Sequence, residues 1–90
     1  MRITLTKQGD DACTLHQTTM SSTTAFSIPI SKVALQAAFR EMLLAPEKHE
    51  VMVDAVMIDR YREGLRVHAG SGRFELPFVN LFPLVLEASA

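Results

Sequence analysis

One pattern occurs nearly twice in this chain. Residues Phe26-Ser27-Ile28-Pro29-Ile30-Ser31-Lys32-Val33 and Phe74-Glu75-Leu76-Pro77-Phe78-Val79-Asn80-Leu81 both read Phe-x-aliphatic-Pro-apolar-x-x-aliphatic. Each copy has the form of a strand running into a helix, and each follows a stretch with hairpin character. Self-similarity at a fixed spacing marks one supersecondary unit used again. The chain therefore reads as two β-β-β-α halves, residues 1–45 and 46–90, inside a single domain spanning 1–90.

The first half is patterned clearly. Ile3 and Leu5 alternate with Arg2, Thr4 and Thr6, the period of a half-buried strand. Gly9-Asp10-Asp11 supplies a turn, and Cys13 and Leu15 resume the alternation against Thr14 and His16. The Ser/Thr-rich segment 17–24 reads as a loop, followed by a third strand with Phe26, Ile28 and Ile30. Ser31 then suits a helix N-cap, with Ile30 and Leu35 at the positions of a hydrophobic staple. Leu35, Phe39, Met42 and Leu43 continue a helical apolar stripe until Pro46, which forces the chain out of the helix.

In the second half, His49 to Tyr61 reads as one long strand, apolar on much of both faces and so expected at the centre of a sheet or beneath a partner. Turns at Arg62-Glu63-Gly64 and Gly70-Ser71-Gly72 bracket a strand over 65–68. Asn80 is the expected cap of a short final helix, with Pro83 in its first turn. Leu15-His16 and Val67-His68 align as the middle strands of the two halves.

The expected fold is α+β: one antiparallel sheet of about five or six strands with two helices on one face. Its expected core is Ile3, Leu5, Cys13, Leu15, Phe26, Ile28, Leu35, Phe39, Leu43, Val53, Leu65, Val67, Phe74, Leu76, Leu81 and Leu84. The strand-hairpin-helix order is loosely similar to the small single-strand-binding folds of the Whirly type. That resemblance covers topology alone; the basic-aromatic signature of such binders is missing, so it assigns no residues.

Chemistry is sparse. A single cysteine rules out an intrachain disulfide and a cysteine-based zinc site, and with the lack of an apolar leader at the N-terminus points to a reducing, cytoplasmic setting. His16, His49 and His68 lack the spacing that places two ligands on one helix face. No phosphate loop, nucleophile elbow or dinucleotide fingerprint is present, so no metal, no cofactor and no enzymatic activity are expected.

Two surface signals remain. Five methionines, the two-sided strand at 51–58 and the apolar segment from Phe78 to Leu86 suggest more apolar surface than a small domain can hide. Self-association is the expected use, through Met52, Val56, Ile58, Phe78, Leu81, Phe82, Val85 and Leu86. The alternative is a single-stranded nucleic-acid or transcription-regulatory role for Arg60, Arg62, Arg66, His68 and Arg73, which cluster on neighbouring strands. A net charge of −1 and the inward placement of Phe26 and Phe74 disfavour it, and no membrane association is expected.

Overall fold

The computed structural model describes residues 2–87; residue 1 and residues 88–90 lie outside the described residues. Its elements run β1 (Arg2–Gln8), β2 (Ala12–Thr18), β3 (Thr23–Ile28), α1 (Lys32–Leu44), β4 (Glu50–Val53), β5 (Val56–Tyr61), β6 (Gly64–Ala69), β7 (Gly72–Pro77) and α2 (Phe78–Glu87). The class is α+β, but the strands form two antiparallel sheets, β1-β2-β3 and β4-β5-β6-β7, rather than one. Each sheet is a meander of sequence neighbours. The first half is β-β-β-α and the second β-β-β-β-α.

The extra strand comes from a turn hidden inside the apolar run 49–61. Asp54 takes a left-handed backbone (φ 53°), and Asp54-Ala55 fold the run into the β4–β5 hairpin, with Val53 opposite Val56 and Val51 opposite Ile58. Reversing direction there also reverses the parity. Val51 and Val53 before the turn share one face with Val56 and Ile58 after it, because directly opposed residues point the same way. The apparent two-sided strand is thus two strands, each apolar on one side.

The inner faces of both sheets and the two helices enclose one core. Ile3, Leu5, Cys13 and Leu15 come from the first sheet and Ile58, Leu65, Val67 and Leu76 from the second. α1 contributes Leu35, Phe39 and Met42, and α2 contributes Leu81, Leu84 and Val85. Of the expected core, Phe26, Leu43 and Val53 are only partly buried, packed against its edge. Ile30, Met42, Val56, Ile58 and Val85 join it.

α1 starts and stops as its sequence requires. The Ser31 hydroxyl accepts the Ala34 amide at 3.1 Å, and its carbonyl accepts the Leu35 amide at 3.0 Å. The helix ends at Leu44, just before Pro46. α2 differs from expectation: it begins at Phe78, directly out of β7, so Asn80 lies within the first turn and Pro83 beyond it. The Phe78 amide donates to the Glu63 carbonyl at 2.9 Å, so the β5–β6 turn takes the place of a side-chain cap. Pro83 has no amide and sits on the outward side, next to Phe82. Gln36, buried on α1, donates to the Leu84 carbonyl at 3.0 Å and so satisfies an acceptor in the last turn of α2.

Gly64 is fixed by a close approach. A Cβ placed there would lie 1.9 Å from the Leu76 carbonyl oxygen, inside the β6–β7 ladder. Gly64→Ala must therefore separate two hydrogen-bonded strands. The expected loss is at least about 2 kcal/mol of unfolding free energy, read from chemical denaturation.

Candidate functional site

Three surface features could carry function: the arginine cluster, the outward side of α2, and a cleft between the sheets.

The arginines divide between structure and surface. On the outer face of the second sheet, Asp59, Arg66 and Glu75 are directly opposed in one row, and Met57, His68 and Arg73 in the next. Asp59 Oδ2 and Oδ1 accept bonds from Arg66 Nη2 at 3.0 Å and Nε at 3.2 Å, a bidentate grip. His68 Nε2 lies 3.0 Å from Asp59 Oδ1, and the Arg66 guanidinium stands 5.4 Å from the centre of the Tyr61 ring. Partial burial pushes the Asp59 carboxyl upward. The hydrogen bonds and charges of His68 and Arg66 outweigh this and hold it below the ordinary 3.8.

Arg60 points the other way. Its guanidinium donates to the carbonyls of Met42, Ala45 (3.1 Å) and Lys48 (3.2 Å), closing the C-terminal end of α1. One residue along a strand reverses the face, and that step separates Arg60 from Asp59 and from the outer arginines. Of the five residues expected on a nucleic-acid face, Arg60 is therefore turned inward. Arg66 and His68 are engaged with Asp59, and Arg62 and Arg73 are exposed with no ion pair among the described residues.

The expected interface residues divide as well. Val56, Ile58, Leu81 and Val85 are core, Phe78 is half-buried, and Met52, Phe82 and Leu86 are exposed. The hairpin at Asp54 explains the first two, since it turns them inward. On α2, Val79 (76% exposed), Phe82 (50%) and Leu86 (71%) follow one another at three- and four-residue steps, with exposed Pro83 between them. Val79 was legible only once the helix start at Phe78 was known. A groove of about 350 Å³ runs beside this stripe, lined by Val79, Pro83 and Leu84 and by Arg2, Ile3 and Thr4 of β1.

The cleft, about 700 Å³, lies between Gln17, Thr24 and Phe26 of the first sheet and Tyr61, Arg62, Glu63, Arg73, Phe74, Glu75 and Pro77 of the second. It was not foreseen, because it depends on how two separate sheets meet. The two repeated phenylalanines both line it, their ring centres 5.8 Å apart.

Cys13 is fully buried, and burial, partly offset by the charge of Lys32, pushes its thiol up to about 11. It is a thiol at neutral pH and packs as a small apolar group. Among the described residues no group of three His, Cys, Asp or Glu side chains converges on a metal position. No helix among them is long and apolar enough to cross a membrane. No family model, curated protein or solved structure matches the chain.

Two outcomes test the electrostatic assignments. Arg60→Ala is expected to cost about 2 kcal/mol of stability, because charge-assisted bonds to three carbonyls are lost; equilibrium unfolding measures it. The lowered Asp59 carboxyl stabilises the fold when ionised, at pH above its unfolded value, and that contribution is lost as pH falls below 3.8 through its folded value. The stability gap between the native chain and Asp59→Asn is therefore expected to be widest near neutrality and to narrow in acid.

Proposed function

We propose that this chain is a small, non-enzymatic interaction module that works as a homodimer through the outward side of α2. The observation that carries the reading is a helix apolar on both sides: Leu81, Leu84 and Val85 enter the core while Val79, Phe82 and Leu86 face solvent. A helix in a soluble monomer has a polar outer face, and α2 lacks one. Side chains at three- and four-residue steps form the seam by which helices pair.

A second copy is the favoured occupant on symmetry grounds. Two such stripes related by a two-fold axis present identical apolar surface to each other, so a single patch serves as both halves of the interface. Stable interfaces bury roughly 800 Å² per partner, more than one stripe provides. The groove between α2 and β1 supplies adjoining surface for the second helix to fill. The nucleic-acid reading has less support, because within the cluster Arg60, Arg66 and His68 are committed to internal partners and Arg62 and Arg73 alone are left exposed with no ion pair among the described residues.

Sedimentation of the native chain and of Phe82→Glu tests the proposal. The native chain is expected to sediment as a dimer at sub-millimolar concentration. The variant is expected to be monomeric with an unchanged circular dichroism spectrum, since a charge in the seam would be buried without a partner. Met20→Glu, on the exposed loop before β3, should leave association intact. A native chain that stays monomeric throughout that range would refute the reading.

A further inference from the structure

We propose that the cleft between the two sheets binds an extended peptide segment, which joins the free edge of β7 as an antiparallel strand and carries a basic, an apolar and an acidic residue in that order. The first argument is geometric. Arg73, Phe74 and Glu75 are consecutive and all line the cleft. Consecutive residues of a strand point to opposite faces, so a cavity lined by three in a row opens onto the edge of the strand. Among the described residues β7 is paired with β6 on one side only, and the other side of such an edge strand offers its backbone donors and acceptors to a partner. Pro77 has no amide to offer and sets the limit of a ladder that would run along residues 72–76.

The opposite wall is different. Thr24 and Phe26 alternate, and Gln17 stands directly across from Thr24, so the first sheet offers one face rather than an edge. An added strand would thus hydrogen-bond to β7 through its backbone and lay side chains against Phe26 and Thr24. This is strand addition in a walled groove.

Charge then specifies the sequence. Arg73 and Glu75 share the outer face of β7, with Phe74 between them on the inner face. In an antiparallel partner the residue opposite Glu75 comes first and the residue opposite Arg73 comes two positions later. Opposite charges directly across a ladder attract and like charges repel. The favoured order is therefore basic, apolar, acidic, with the apolar residue beside Phe74 and Phe26. The mixed signs of its lining, with Arg62 and Glu63 as well as Arg73 and Glu75, favour a peptide over a polyanion. Phe74 is buried and offers no open ring face on which a base could stack. β7 itself reads Arg73-Phe74-Glu75, but in a folded second copy that edge is walled by its own first sheet, whereas a slender extended segment is not.

The test is fluorescence anisotropy with two short labelled peptides, identical except that one has lysine-valine-glutamate at its centre and the other glutamate-valine-lysine. The native chain is expected to bind the first about ten-fold more tightly. The double variant Arg73→Glu with Glu75→Arg should reverse that preference; both positions are exposed, so the fold should survive. Amide shifts in NMR spectra should concentrate on β7 and on residues 24–26. Equal binding of the two peptides, no binding of either, or a preference that survives the charge swap would overturn the proposal. So would salt-sensitive binding of a single-stranded oligonucleotide without peptide binding, which would give the cleft to nucleic acid. Self-association abolished by Arg73→Glu alone would give the edge to a second copy instead.

Discussion

Among the described residues no backbone ladder joins the two sheets. What holds the halves of this molecule together is the burial of side chains between them, and every other feature is arranged around that constraint. Each sheet has one apolar face, and neither sheet could be stable alone with that face in water. α1 packs against β1, β4 and β5 and α2 against β1, β6 and β7, so each helix bridges both sheets. Gln36 ties the helices to each other, and Phe26 meets Phe74 at the rim. Non-directional burial supplies the attraction, and a few directional bonds fix the arrangement.

Arg60 illustrates that second role. Its guanidinium gathers three carbonyls from the end of α1 and the turn beyond it, where the helix has run out of amides. A cation is favoured there by the helix dipole as well as by the bonds. Its neighbour Asp59 organises the opposite face, holding Arg66 and His68 together. One strand thus separates a structural cation from a surface ion cluster by a single alternation of side chains.

Much of the architecture could be read from residue order. The Ser31 cap, the stop before Pro46 and the turns at Gly9 and Gly70 are local chemistry, and all of them appear in the structure, where Ile30 and Leu35 are both buried. The repeated Phe-x-aliphatic-Pro pattern does mark two strand-to-helix junctions, at β3–α1 and β7–α2. What escaped was not local. Asp54-Ala55 lacks the glycine that usually announces a tight hairpin, so two strands looked like one and Val56 and Ile58 seemed to face outward. The start of α2 is set by a bond from Phe78 to the distant carbonyl of Glu63, which no neighbouring residue signals. The fate of the arginines followed from strand parity and tertiary contact, and the cleft from the meeting of two sheets.

The meander topology also governs how the chain reaches this state. The five strand pairings among the described residues join neighbours in sequence, so each can form without a distant segment arriving first. Closing short loops costs little chain entropy, and proteins rich in such contacts cross their folding barrier quickly. The non-local step is the packing of the two meanders against each other through the helices. A chain that loses that packing exposes both inner faces at once, together with open strand edges, the two surfaces from which aggregation starts.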